Sequence, residues 1–149
     1  REKTCCFTGH RQISAEYLPA ISEKLRDTLI FILNKDTGGA LGFDTLAAQT
    51  VLNLKQWYPC IKLILVLPCK DQAARWRAND VKEYERIKSH ADKIVYTADD
   101  TLTAVCKKNR HLVDGSSLCI CYLAKQEGGT AYTVQYAREK GLRVVNIVE

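Results

Sequence analysis

Apolar segments of two kinds alternate along the chain, and this alternation limits the folds open to it more than any other feature. Short, mostly apolar runs such as Thr4–Phe7, Ile61–Leu67 and Ser117–Leu123 have the length and character of buried strands. Between them, as in Ser14–Lys35, apolar residues recur every three or four positions, which is the period of an amphipathic helix. Strands that alternate with helices are typical of a parallel sheet whose right-handed crossovers place helices on its faces.

The whole pattern predicts one α/β domain over residues 1–149, with a doubly wound, mainly parallel sheet of five to seven strands and helices on both faces. Ser14 is the expected cap of the first helix, and Gly141 is expected to end the last one. Adjacent glycines weaken the second strand. The remaining predicted helices are Phe43–Trp57, Gln72–Ala91, Leu102–Val113 and Tyr132–Lys140, and the remaining strands are Asp36–Gly42, Lys93–Thr97 and Leu142–Val148.

The cysteines and the apolar runs indicate a cytoplasmic protein without a membrane span. No run reaches the roughly 18 apolar residues of a membrane helix, and the first apolar run is too short for a signal peptide. Seven cysteines cannot all pair within one chain, which suits a reducing compartment. Four of them, Cys5, Cys6, Cys119 and Cys121, lie in apolar runs as small hydrophobes. Because the paired CxxC spacing of zinc sites is absent, we expect no metal.

Net charge is +5, and its distribution is dispersed. The densest basic cluster is Lys107, Lys108 and Arg110. Such a distribution suits small anions better than the long phosphate backbone of a nucleic acid. A general contribution to solubility is the alternative explanation.

Three polar or glycine-rich turns each follow a predicted strand: Thr8–Arg11, Gly38–Asp44 and Gly128–Thr130. Ligands of open parallel sheets bind at the carboxyl ends of the strands. We therefore expect these three turns to converge on one edge of the sheet and to form a ligand site there.

The turn Gly128-Gly129-Thr130 has the chemistry of a phosphate site. Glycine lets the backbone approach a ligand closely, and the first turn of a helix offers unpaired N–H groups and a positive dipole end. The hydroxyl of Thr130 or Thr133 could add a further contact. The alternative is an ordinary loop followed by a capping threonine. Neither GxxxxGK[ST] nor a complete GxGxxG is present, which disfavours a P-loop NTPase and an ordinary NAD-dependent dehydrogenase.

Three side chains are candidates for acid/base chemistry: His10, Asp44 and Asp114. His10 could shuttle a proton, or donate an N–H to the backbone. Asp44 could bind a ribose hydroxyl or act as a base, and the alternative is a favourable interaction with a helix dipole. Asp114 is either a pocket carboxylate or a turn residue.

Arginine and aromatic side chains could hold the rest of a nucleotide. Arg11 could bind phosphate or stack on a base, with a surface salt bridge as the alternative. Trp76 and Tyr132 are candidates for base stacking, although aromatic residues on helices more often serve packing.

Four segments together resemble the YpsA-like proteins of the SLOG superfamily, which also includes DprA and the LOG phosphoribohydrolases. They are TGHR at Thr8–Arg11, GGALGFDTLAA at Gly38–Ala48, NRHLVDGSS at Asn109–Ser117 and GGTAYTVQYAREKG at Gly128–Gly141. The resemblance implies a Rossmann-like fold with a pocket for a nucleotide or an ADP-ribose-like ligand.

The resemblance also assigns residues to that pocket. The phosphate loop of the superfamily matches Gly128, Gly129 and Thr130. The other two turns contribute the matches Thr8, Gly9, His10 and Arg11, and Gly39, Gly42 and Asp44. In the LOG hydrolases this loop resembles the pattern PGGxGTxxE, whose glutamate serves catalysis. That glutamate has no counterpart here, since no carboxylate follows the loop until Glu139.

Binding of a small nucleotide by a sensor or binding module is accordingly the first functional hypothesis. A nucleotide-processing hydrolase of N-glycosidic or phosphoester bonds is the alternative, and DNA binding in the manner of DprA is the weakest of the three. Assembly into a homo-oligomer is left open.

Overall fold

The computed structural model describes residues 3–10, 13–33, 38–41, 45–67, 76–97 and 104–148. Within these ranges strands and helices alternate from end to end, as the sequence predicted. The strands are β1 (Thr4–Gly9), β2 (Gly38–Leu41), β3 (Ile64–Leu67), β4 (Lys93–Tyr96), β5 (Leu118–Tyr122) and β6 (Arg143–Asn146). The helices are α1 (Leu18–Leu33), α2 (Thr45–Leu54), α3 (Ala78–His90), α4 (Ala104–Asp114) and α5 (Gly128–Glu139).

The six strands form one parallel sheet in the order β4-β3-β2-β1-β5-β6. The doubly wound, Rossmann-like architecture and the range of five to seven strands are confirmed. From β1 to β4 the chain moves toward one edge of the sheet, and from β5 to β6 it moves toward the other. Because each crossover is right-handed, this reversal puts α1, α2 and α3 on one face and α4 and α5 on the other.

Each face of the sheet has its own apolar core. Leu25 of α1, Val51 of α2 and Ile87 of α3 pack on the first face together with Cys5 and Phe7. On the second face, Val113 of α4 and Val134 of α5 pack with Cys6, Cys119 and Cys121. The two sets alternate along β1 because side chains of a strand point to opposite faces in turn. No helix of the described residues is long and apolar enough to cross a membrane.

Helix ends differ from the predicted ones by a turn or less at several places. The helix α1 begins at Leu18, not near Ser14, because Ser14 belongs to a preceding turn in which its carbonyl accepts the Tyr17 N–H at 3.0 Å. The last helix ends as predicted at Gly141, which has a φ of 79°. Its N–H donates to the Arg138 carbonyl at 3.0 Å and the Leu142 N–H donates to the Ala137 carbonyl at 2.9 Å, the pattern of a Schellman motif.

Candidate functional site

The strand order reverses between β1 and β5, and this reversal defines where a ligand can enter the sheet. The chain leaves β1 toward β2 on one side and leaves β5 toward β6 on the other, so their carboxyl ends open between diverging connections. Open α/β sheets bind ligands at such points. We call this region the switch-point edge: Gly9 and His10 after β1, residues 123–127 after β5, and Gly128–Thr130 at the start of α5.

Two of the three predicted turns meet at the switch-point edge. Thr8 lies beside Cys121 and Gly9 beside Tyr122 in the parallel ladder. The His10 N–H donates to the Tyr122 carbonyl at 3.3 Å, which extends the ladder by one residue. Thr8 is buried on the face that carries α5, because it follows Cys6 by two residues along the strand.

His10 joins the two turns through its imidazole ring. Its Nε2 accepts the backbone N–H of Lys125 at 3.1 Å, and its ring lies edge-on to Tyr122 with the ring centres 6.3 Å apart. A ring nitrogen that accepts a hydrogen bond carries no proton, so the neutral ring has its proton on Nδ1. The sequence analysis left open a bond in which His10 donates to the backbone, and the structure shows the opposite direction.

The first turn of α5 is built around two glycines with different geometry. Glu127, the N-cap residue, is extended with φ −141° and ψ 161°, and its side chain makes no capping hydrogen bond. Gly128 has a φ of 86°, in the left-handed region that side chains disfavour. Gly129 does not share this conformation, and a Cβ built on it would meet nothing within 4 Å. The first N–H groups of the helix are therefore left without a side-chain partner from the cap.

The two threonines of this turn have different surroundings. Thr130 is at the margin of burial with 9% of its surface exposed, and it lies in the first turn. Thr133 is 2% exposed, and its hydroxyl donates to the Gly129 carbonyl at 2.8 Å. The hydroxyl proton of Thr133 is thus used inside the helix, and the predicted phosphate contact of Thr133 stays a prediction.

Asn146, which the sequence analysis did not single out, holds the loop that leads to this turn. Its Oδ1 accepts the Leu123 N–H at 3.1 Å and its Nδ2 donates to the Leu123 carbonyl at 3.1 Å. The Val148 N–H donates to the same Oδ1 at 3.3 Å. The side chain therefore pairs with Leu123 as a neighbouring strand would. An asparagine inside the apolar segment Leu142–Val148 was the available signal, because this residue is depleted in strands.

Gly39 does not lie at the switch-point edge. Gly38 and Gly39 are the first two residues of β2, and they pair with Thr4 and Cys5 at the amino end of β1. Four residues separate Cys5 from Gly9, which is about 13 Å along a strand. This distance separates Gly39 from the switch-point edge, and its predicted contact with a ligand stays a prediction. Of the same turn, Gly42 and Asp44 lie outside the described residues, as does Arg11 of the first turn.

Asp114 is also far from the switch-point edge. It is the last residue of α4, and the Ser117 N–H three residues later already donates to Thr4 at the beginning of β1. Asp114 accepts a hydrogen bond from the Tyr136 hydroxyl at 2.9 Å, which joins α4 to α5. It thus makes a structural bond at the end of α4, as a turn residue would, and the pocket role predicted for it stays a prediction. Of the three acid/base candidates, only His10 is placed at the edge by the described residues.

The two predicted stacking residues each contact another side chain of the fold. Trp76 precedes α3 and lies edge-on to Tyr84 with the ring centres 5.2 Å apart. The Tyr132 hydroxyl accepts hydrogen bonds from Arg110 at 2.8 Å and 3.3 Å, which hold it toward α4. Both side chains remain 42% exposed, so stacking on a base stays a prediction for each.

Three of the buried cysteines, Cys5, Cys119 and Cys121, are thiols of the core with a raised pKa. Burial raises the pKa of Cys5 to about 12, and burial also raises the pKa of Cys121, to about 11. A hydrogen bond with Cys6, and burial in addition, raise the pKa of Cys119. Neutral thiols are poor nucleophiles and poor metal ligands. Among the residues that the structure describes, no three His, Cys, Asp or Glu side chains are grouped as a metal site would need.

Fold and site together define a Rossmann-like α/β domain with a glycine turn at the start of the last helix, beside the end of the first strand. A sequence model of the YspA SLOG family, YpsA, matches residues 7–145. The chain belongs to this family.

Curated relatives are proteins called UPF0398. One from Bacillus pumilus is 26% identical over 129 residues, covering 84% of this chain and 68% of the relative. One from Brevibacillus brevis is 29% identical over 132 residues, covering 83% of this chain and 70% of the relative. The UPF0398 protein YpsA of Bacillus subtilis is 23% identical over 129 residues, which is 80% of this chain and 72% of that protein.

Two solved structures of DNA processing protein A (DprA) share the fold. The protein from Streptococcus pneumoniae has a TM-score of 0.64 at 16% identity, over 95% of this chain and 48% of its own. The protein from Helicobacter pylori, whose structure is described for its single-stranded DNA binding mode, has a TM-score of 0.67 at 15% identity, over 95% of this chain and 63% of its own. This chain thus spans about half to two thirds of these DprA chains, and the likeness concerns the fold.

Proposed function

We propose that this protein binds the phosphate of a nucleotide or nucleotide-derived ligand at the switch-point edge, and that it acts as a sensor or binding module. The observation that carries the proposal is Gly129. Its backbone conformation is open to any residue, and a side chain there would meet nothing within 4 Å. The fold itself therefore has no need of a glycine at this position, whereas a ligand that approaches the backbone does.

The position of Gly129 favours a negatively charged ligand. Gly129 is the second residue of α5, where N–H groups lack helical partners and the helix dipole is positive. Phosphate is one of the anions that helix N-termini hold in this way. The side chain of Glu127 leaves these N–H groups uncapped, so a ligand oxygen has no internal competitor from that residue.

Two further contacts support a site that is formed before the ligand arrives. The His10 ring holds the Lys125 N–H at 3.1 Å, and Asn146 holds Leu123 by a pair of 3.1 Å hydrogen bonds. These bonds restrain the loop of residues 123–127 from both sides. A loop that is already ordered loses less conformational entropy on binding, which favours affinity.

Calorimetric titration tests the proposal, with AMP, NAD and ADP-ribose as ligands and with inorganic phosphate as a competitor. We expect at least one nucleotide to bind and phosphate to weaken its binding. In Gly129→Ala the new Cβ stands between the ligand and the backbone, so affinity should fall by about tenfold, equivalent to about 1.4 kcal/mol. The melting temperature should not fall, because the Cβ has room and alanine is the better helix former.

Gln135→Ala is the matched control, since Gln135 is exposed on the same helix and its described bond is to Glu139. This variant should bind as the unchanged protein does. Absence of binding by every nucleotide at millimolar concentration would overturn the proposal. Equal affinity of Gly129→Ala and the unchanged protein would show that the phosphate is held elsewhere.

A hydrolase remains the alternative, and the same samples test it. Incubation with nucleoside monophosphates followed by chromatography would reveal free base or free phosphate. Product that forms with the unchanged protein and is lost in His10→Gln would support catalysis, because glutamine keeps an acceptor for Lys125 but cannot transfer a proton. Unchanged nucleotide, with binding intact, would support the sensor.

Binding of single-stranded DNA is a second candidate, favoured by the fold that the chain shares with the Helicobacter pylori DprA. Neutralisation of several phosphates would make DNA affinity fall steeply with salt. A nucleotide held by one helix terminus would show a much weaker salt dependence. The slope of affinity against salt concentration therefore separates the two candidates.

A further inference from the structure

A shallow groove runs along the outer side of α1 and α2, away from the switch-point edge. Its volume is about 580 Å³, and it is lined from α1 by Pro19, Glu23 and Arg26, and from α2 and the turn after it by Asn53 and Trp57. Both helices start near the carboxyl edge of the parallel sheet, so they run in the same direction. On α1 the first and last lining residues are seven positions apart, about two helical turns, and the second stripe runs alongside from Thr50 of α2 to Trp57 in the turn after it.

Trp57 is the most exposed large apolar side chain that the structure describes. It lies in the turn just after α2, where its backbone N–H donates to the Leu54 carbonyl at 3.0 Å. In total, 78% of its surface is exposed. A tryptophan can bury about 150–250 Å² in a contact, which makes it a frequent anchor of protein interfaces. A side chain of this size at the end of a groove points to a macromolecular occupant.

The charges of the groove are complementary to themselves. Glu23 and Arg26 lie one turn apart on α1, and both line the groove. Arg26 contacts Asp27 at 3.6 Å, and none of the ion pairs between described residues involves Glu23. A two-fold axis that crosses α1 between these residues would place Glu23 opposite the partner's Arg26 and Arg26 opposite the partner's Glu23. The same axis would bring Trp57 toward the partner's Pro19, because it exchanges the two ends of the groove.

We propose that a second copy of this chain docks in the α1–α2 groove about such an axis, with two reciprocal Glu23–Arg26 pairs and Trp57 as the apolar anchor. Isologous contacts of this kind are the commonest form of protein self-association. The lining carries one negative and one positive side chain, so it offers no net attraction to a nucleic acid. The proposal is independent of the ligand at the switch-point edge, which lies at the ends of other elements.

Sedimentation velocity tests the proposal on the unchanged protein and on charge variants, over protein concentrations from about 1 μM to about 1 mM, the range of weak to moderate association. We expect the mass to rise with concentration from 16.8 kDa toward twice that value. Glu23→Arg alone and Arg26→Glu alone each place like charges opposite one another, and each should weaken the dimer by about tenfold or more.

Two combinations restore the proposed pairs. The double variant with Glu23→Arg and Arg26→Glu should dimerise again. An equimolar mixture of the two single variants should form a mixed dimer, since each arginine then faces a glutamate. Glu85→Arg on α3 is the control for an added positive charge and should dimerise normally, because Glu85 is exposed and lies outside the groove. Circular dichroism melts establish that every variant is folded.

Recovery in the double variant and in the mixture would establish the reciprocal pairs. A protein that stays monomeric throughout the range overturns the proposal. So does a dimer that Glu23→Arg leaves unweakened, because the interface would then lie on another surface.

Discussion

Alanine at Gly128 should reduce both stability and nucleotide affinity, whereas alanine at Gly141 should reduce stability alone. The two glycines stand at opposite ends of α5, Gly128 as its first residue and Gly141 just after its last turn. Both have a positive φ, 86° and 79°, and at neither would a Cβ meet another atom within 4 Å. The pair therefore separates the cost of the backbone conformation from the loss of a ligand contact.

The size of the effect follows from the conformation alone. An L residue in the left-handed region costs about 1–2 kcal/mol. Alanine also reduces the conformational entropy of the unfolded chain, which stabilises the folded protein by about 0.4–1 kcal/mol. A net loss near 1 kcal/mol lowers the melting temperature by about 2–4 °C in a domain of this size. Gly141→Ala should show the larger fall in melting temperature. Two hydrogen bonds of the Schellman motif, Gly141 to Arg138 and Leu142 to Ala137, resist adjustment of the backbone there, whereas Gly128 follows an exposed loop.

Thermal melts and calorimetric titrations of the same preparations measure both quantities. Gly141→Ala should bind the nucleotide with unchanged affinity, and Gly128→Ala should bind it about tenfold more weakly, since relief of its strain tilts the first N–H groups of α5. Equal losses of affinity in the two variants would refute the local reasoning, because a general loosening of α5 would then explain both. Unchanged melting temperatures would refute the conformational argument itself.

Two further predictions concern side-chain contacts. Asn146→Ala should lower the free energy of unfolding by about 1–3 kcal/mol, because the Leu123 N–H and carbonyl lose their partners, and it should weaken nucleotide binding. Urea titration measures the first effect and calorimetry the second. Asn146→Asp keeps the acceptor and should lose less stability. Hydrogen bonds from Arg86 and Gln49 lower the pKa of Glu83 to about 2, so the stability from these bonds is present above the unfolded pKa of about 4.3 and lost as the pH falls toward 2. Melts between pH 2 and pH 6 should therefore show a smaller acid loss in Glu83→Gln than in the unchanged protein, and an unaltered profile would contradict this; Glu85→Gln is the control.

Elements with a strong period were predictable from the sequence, and their ends were less so. The strand at β5 was expected at Ser117–Leu123 and lies at Leu118–Tyr122. The last helix was expected from Tyr132 and begins at Gly128. The reason is physical: glycine has a low helix propensity, yet the first helical turn needs no side chain, so Gly128 and Gly129 join the helix although their composition indicates a loop.

Local sequence pattern could not show at which edge of the sheet Gly39 and Asp114 lie. A glycine pair beside a strand is compatible with either end of that strand. Only the pairing of Gly39 with Cys5 shows that these glycines begin β2. Likewise, a carboxylate after an apolar helix is compatible with a pocket until the end of α4 is known to meet the beginning of β1.

The switch-point edge depends on contacts between residues far apart in the chain, so the sequence predicted two of its turns but not the contact that links them. Strands that follow one another in sequence tend to be neighbours, yet β1 lies beside β5. In the register of these two strands, Cys6 lies opposite Cys119. That pairing brings His10 within 3.1 Å of the Lys125 N–H, across 115 positions of sequence. The topology therefore makes His10 a support of the loop before α5, while its role in proton transfer stays a prediction.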